Sequence, residues 1–251
     1  MSPELIDELY RLENARSTGI LSVGDGAFHL ADGTIAAAEC HRTTGLDRLV
    51  VESGAATVDE WRRIRAGDSG RLLHRPRLET LALLSIFDAA YFLLAAPAEP
   101  EFRPAPRHWL TPVCRVAPRA LVDECARRGD PAAGPWPVDL VDRTPVVPVR
   151  HVRRRHPVLT DAQAEVLAAT DARRSVTAIA HDLGRTTYGC LTAVRELTAA
   201  DLIQRPDSAT TAPLPQRRRR TPRTGPSDPG TQEPVDCDML LRVRAALWEL
   251  A

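Results

Sequence analysis

The 251 residues carry 33 basic and 33 acidic side chains, so no overall field draws the chain toward nucleic acid or an anionic membrane. Every basic residue is Arg and none is Lys, a bias of GC-rich coding that makes an isolated Arg a poor sign of phosphate binding. The length holds one large or two modest domains, each able to bury a core.

The five cysteines, Cys40, Cys114, Cys125, Cys190 and Cys237, are odd in number and never spaced C-x-x-C. This argues against a disulfide framework or a zinc knuckle, and free, mostly buried thiols are expected. The opening "MSPELIDELYRLENAR" is charged throughout and has no apolar signal core. The longest apolar run, "LALLSIFDAAYFLLAAPA", is interrupted by Asp88 and falls short of a membrane span. A cytoplasmic protein is expected.

In chain order, residues 3–14 form a helix with Leu5, Ile6, Leu9 and Leu12 on one face. Three short strands follow, "GILSV", "AFHL" and "TIAAAEC", separated by Gly-Asp-Gly and Asp-Gly turns that need positive φ. This is a β-meander. Helices are predicted at "TGLDRLVVESG" and "TVDEWRRIRAG", the second opened by Thr57 and Glu60 at capping-box spacing. A long helix over 78–95 is expected to turn Leu81, Leu84, Phe87 and Tyr91 inward. "PEFRP" reads as one more strand. "PRALVDECARRGD" reads as a helix with Leu121, Val122 and Cys125 inside and Arg127 and Arg128 outside.

Residues 129–157 are crowded with Pro, which forbids regular helix, and read as a linker docked in part through Trp136. A smaller domain over 158–205 then divides into three helices. Thr160 and Gln163 open the first, Ser175 caps the second, Gly184 ends it, and Thr186 or Thr187 caps the third. Residues 206–234 are Pro, Thr, Ser and Arg with few apolar side chains and are expected to be disordered. The last stretch, 235–251, places Leu240, Val243, Leu247 and Leu250 on one face of an amphipathic helix that must dock at home or on a partner.

Two resemblances emerge from these residues. "GILSVGDGAFHLADGTIAAAEC" followed by "TGLDRLVVESG" resembles the PATAN domain of bacterial signalling proteins, at Gly19, Asp32, Gly33, Ile35, Ala38, Gly45, Leu49 and Gly54. That resemblance extends over about 19–128 and implies an interaction or sensory module with no catalytic residues. The succession A-x-x-L-G, a short turn, then a helix ending L-x-x-A-x-L-I resembles the winged helix-turn-helix of bacterial transcriptional regulators, over about 158–205. Asp201 stands where that family usually shows Gly, and "LIQRPDSATTAP" offers one strand without a returning partner, so any wing is degenerate.

No constellation for catalysis appears. Gly24-x-Gly26 lies between strands and opens no helix, so it lacks phosphate-cradling geometry. Cys40 and His41 are adjacent on a strand and point to opposite faces. His108-Trp109 near Cys114 is not spaced like a metal site, and His108 reads as a partly buried residue with a structural hydrogen bond. No enzyme activity, cofactor or metal ion is expected.

The fold class is therefore α+β: a PATAN-like meander with helices over 1–128, the linker, and a mostly helical helix-turn-helix domain. As a DNA reader, the third helix would enter the major groove N-terminus first. Arg185, Thr186, Thr187 and Tyr188 would meet bases and phosphates, with Arg195 further along and Arg173 and Arg174 on the backbone. The clusters at 153–156 and 217–220 would add salt-dependent affinity. Against this, residues 151–205 hold eight Arg against six acids, and Arg195 is the third helix's one basic residue. Two functions stand: a transcriptional regulator binding double-stranded DNA, or a signalling adaptor in a small-GTPase or two-component system whose same helices bind protein. Either would engage a regulatory partner through the front domain or the terminal helix, and a homodimer is one assembly open to it.

Overall fold

The computed structural model describes residues 1–65, 76–149 and 158–206. The helix expected over 235–251 (Leu240, Val243, Leu247, Leu250), the tail over 206–234 beyond Pro206, and the arginine clusters at 153–156 and 217–220 lie outside the described residues. Eight α-helices and four strands are found among those described.

Helix α1 (Pro3–Asn14) is capped by Ser2 and buries Leu5, Leu9 and Leu12. Strands β1 (Gly19–Val23), β2 (Gly26–Ala31) and β3 (Thr34–Cys40) form the meander. At the second hairpin Asp32 and Gly33 both have positive φ, 52° and 79°, the type I′ turn whose twist suits antiparallel strands. A Cβ at Gly33 would also meet the Glu13 carbonyl oxygen at 2.6 Å. Strand β4 (Glu101–Pro104) adds antiparallel to β1, giving the order β3-β2-β1-β4.

Helices α2 (Leu46–Glu52) and α3 (Val58–Arg65) form a small satellite core in which Leu49, Val50, Trp61 and Ile64 meet Leu78 and Leu81. The expected Thr57–Glu60 capping box opens α3, with Glu60 N donating to Thr57 Oγ1 at 3.2 Å and Thr57 N to Glu60 Oε2 at 2.8 Å. Helix α4 (Pro76–Leu93) packs on β3 and is the central rod of the molecule. Leu81 and Tyr91 are buried and Phe87 half-buried, as expected, but Leu84 is 44% exposed, whereas Ser85 and Asp88 are buried. The buried surface runs round most of the helix, from Leu78 to Leu93, and its general apolar character hid that Leu84 is the position left outside. Helix α5 (Pro118–Arg127) buries Leu121, Val122 and Cys125 as expected. Arg128, expected outside, instead lies over the rings of Tyr188 and Phe87 and donates to the Phe87 carbonyl at 3.0 Å.

Helices α6 (Asp161–Ala168), α7 (Val176–Leu183) and α8 (Thr187–Ala199) complete the chain, with α6 and α7 packed on α8. Their local signals hold: the Thr160–Gln163 capping box, the Ser175 cap and the left-handed Gly184 are all present. The Pro-rich segment before them is wound into the fold. Trp136 is fully buried and donates through Nε1 to Thr198 Oγ1 at 2.9 Å, and Val138, Val141 and Val146 join the same core. Ile203, which had no visible strand partner, bridges antiparallel to Pro148, with Gln204 N donating to Val147 O at 2.9 Å. The bridging partner comes from the segment before the helices, which is why no signal after them disclosed it. One continuous core runs from Leu5 through Trp136 to Ile203. Among the described residues, no helix is long and apolar enough to cross a membrane.

Replacing Trp136 by Ala is expected to lower the unfolding free energy by about 3–5 kcal/mol, because its pocket cannot be refilled. Leu84→Ala should change it by less than about 0.5 kcal/mol. Urea denaturation of both variants checks this. A large effect at Leu84 would mean that α4 presents the other face.

Candidate functional site

The first turn of a helix exposes backbone N–H groups with no internal acceptor and carries the positive end of the helix dipole. On α8 these groups face inward. Thr187 N donates to Asp88 Oδ2 at 2.8 Å, and Tyr188 N donates to Asp88 Oδ1 at 2.7 Å. Thr186 Oγ1 takes the Gly189 N–H at 3.3 Å. Asp88 is 1% exposed, so a carboxylate from α4, about a hundred residues earlier in the chain, caps α8 in the interior. The Tyr188 ring stands edge-on to Tyr91 of α4 at 4.8 Å, and Arg128 lies 4.5 Å above it.

Each residue expected to meet DNA has a definite place. Thr187 is fully buried, and its hydroxyl has no hydrogen-bond partner. Tyr188 is half-buried between Tyr91 and Arg128. Arg195 donates to the Trp136 carbonyl at 2.8 Å, the Pro131 carbonyl at 3.3 Å and the Tyr91 hydroxyl at 3.3 Å. It therefore pins the Pro-rich segment to α4. Arg174 is held by Asp171, Asp182 and the Ala169 carbonyl, at 3.1, 2.8 and 2.6 Å. Arg185 pairs with Glu165 at 2.6 Å near the surface, a contact worth at most about 1 kcal/mol. Thr186 is half-exposed, and Arg173 is exposed. In this arrangement Thr187 is turned inward, Tyr188 lies between Tyr91 and Arg128, and Arg195 is taken up by the Pro-rich segment and Tyr91, while Arg185, Thr186 and Gly189 keep exposed surface.

The turn between α7 and α8 is anchored as well. Gly184 has φ of 59°, and a Cβ there would lie 2.2 Å from Glu52 Cβ on α2, so glycine is required twice over. Arg48 Nε donates to the His181 carbonyl at 3.2 Å, and Thr177 Oγ1 donates to the Arg42 carbonyl at 3.2 Å.

A cavity of about 560 Å³ opens on the other side of α4, lined by Ala82, Ser85 and Ile86 together with Glu39, Trp61 and His108. The buried thiols offer no nucleophile: burial pushes Cys40 and Cys125 up to about 11 and Cys190 up to about 12. Cys40 and His41 do not form a pair; the Cys40 thiol points to Asp25 at 3.7 Å.

Asp88 was visible in the sequence only as the charge that broke an apolar run. Burial raises its carboxyl to about 6, against the lowering pull of the Tyr188 and Thr187 amides and of Arg128. The folded value thus lies above the unfolded one of about 3.9, and the folded chain holds this proton more tightly. The stability it contributes is complete below pH 4 and is lost as pH rises through 6. Asp88→Asn should abolish that slope, on the order of 2 kcal/mol between pH 4 and pH 7, in urea unfolding measured against wild type. Asp88→Ala, which strands two amides, should cost about 2–4 kcal/mol and speed hydrogen exchange at Thr187 and Tyr188. No family model, no curated protein and no solved structure matches this chain, and the functional assignment rests on its own geometry.

Proposed function

We propose that this chain is a signalling adaptor, in which the PATAN-like front and the helix-turn-helix-like trio act as one protein-binding body. The observation that carries the proposal is the closure of α8 onto Asp88. A DNA-reading helix needs its leading turn free, and here that turn donates both amides to α4 and buries Thr187. Arg195, the basic residue of the helix, spends its donors on three internal acceptors. The exposed positions left on α8, among them Gly189, Glu196 and Ala199, carry no cation for a phosphate.

Helix α4 supplies the connection an adaptor needs. One side of it lines the 560 Å³ cavity through Ala82, Ser85 and Ile86, and Asp88 and Tyr91 hold α8. A partner that shifts α4 would shift both, which is coupling in the thermodynamic sense. A transcriptional-regulator function would require a second state, with α8 lifted from Asp88 and Arg195 released from Trp136, Pro131 and Tyr91.

Fluorescence anisotropy of the full chain with a random-sequence labelled duplex, from low to moderate salt, separates the two. The adaptor predicts no salt-dependent binding, and partners captured from a source-cell lysate that survive nuclease treatment. Wild-type binding that collapses with salt and is weakened by both Arg185→Ala and Arg195→Ala would overturn it in favour of DNA recognition.

A further inference from the structure

We propose that His29, Glu39 and His108 form a binding site for a borderline divalent transition metal of the zinc class, with one coordination position open toward the adjoining cavity. The three side chains come from distant parts of the sequence and converge because of the sheet register. Ala27 pairs with Glu39 and His29 with Ala37 across β2 and β3. Side chains at paired positions, and at i and i+2, share a face, so His29 and Glu39 are diagonal neighbours on one surface. His108 reaches them from the segment after β4, placing its ring 4.6 Å from that of His29, tilted by 45°.

One ligand atom from each of the three lies within 4.8 Å of the other two. A tetrahedral zinc with bonds of about 2.0–2.1 Å separates its ligands by about 3.3 Å, so the cluster needs to tighten by no more than roughly 1.5 Å. Rotation about side-chain torsions supplies that without moving the strands. The donor set is also chemically suited. Two imidazoles and one carboxylate are the ligands of many open-sited metals, where three protein groups leave a place for water or a substrate oxygen. A thiolate is not needed, and the nearby cysteines are buried and protonated.

One further observation fits a metal. The cavity wall beside the cluster continues from His108 through Trp109 to Trp61, with ring separations of 5.6 and 5.5 Å. Trp61 is nine-tenths buried, and its indole N–H has no partner. A polar ligand filling the cavity, onto which the open metal position faces, would give that donor an acceptor. The Leu110 amide donates to His108 Nδ1 at 3.3 Å, a contact that opposes binding. Coordination through Nε2 would move the ring proton to Nδ1 and break this long hydrogen bond, which sets the affinity below that of a fully preformed site.

The test is zinc titration of the full chain, stripped with chelator and kept reduced, by calorimetry, with cobalt absorption as the structural readout. The expected result is one zinc per chain and the intense visible bands of four-coordinate cobalt without a thiolate charge-transfer band. His29→Gln, Glu39→Gln and His108→Gln should each weaken zinc by more than about tenfold while circular dichroism stays unchanged. His41→Gln, on an exposed histidine outside the cluster, should not. Equal titration of wild type and a His29→Gln/His108→Gln variant, a thiolate band, or loss of binding in His41→Gln would each overturn the site.

Discussion

The arrangement of this protein depends on one interior hydrogen-bond pair, the Asp88 carboxylate beneath the first turn of α8. A charged group inside a core is costly unless its oxygens are satisfied. Unpaired helix-terminal amides carry the same kind of penalty. The amides find their acceptor and offset part of the carboxylate's cost, at 2.7 and 2.8 Å, while burial still holds the carboxyl above its ordinary pKa. Removing either partner leaves the other stranded. Helices α4 and α8, distant in the chain, are therefore joined by this polar contact as well as by apolar packing.

Around that pair the front and back halves interlock through different chemistry. Trp136 fills a pocket and donates to Thr198, Arg195 clasps the Trp136 and Pro131 carbonyls, and Gly184 lets α2 approach where no side chain would fit. An arginine suits the second role because its planar fork serves several acceptors at once. The same fork that suggested base recognition is used here as an internal brace. Helix α4 touches both the cavity and α8, so any event in the cavity is one helical turn from Asp88.

Much of the local structure was legible in the sequence. The bounds of α1, both capping boxes, the Asp-Gly hairpin and the Gly184 stop are written in neighbouring residues, and periodicity reveals them. Three features were not. Leu84 looked as apolar as Leu81, and only the position of β3 and α8 decides that it faces out while Asp88 faces in. Arg128 and Arg195 are typical surface residues until carbonyls and rings gather around them. The cluster of His29, Glu39 and His108 has no sequence spacing to notice, since strand register and a crossing segment bring it together. The helix-turn-helix outline was readable from its caps. What the helix touches was not, because its contacts lie sixty to a hundred residues away.

Those separations bear on how the molecule is made. Contacts between distant residues are slow to form because the intervening chain must first be closed, and a ribosome delivers the front half first. The meander, α1 and α4 can assemble early, but at that stage Asp88 and the seat for Trp136 have nothing against them. The nascent protein would therefore pass through an interval with an open groove along α4 and Asp88 uncovered in it. It closes only when α8 emerges, which makes the order of synthesis itself a determinant of whether the finished body forms cleanly.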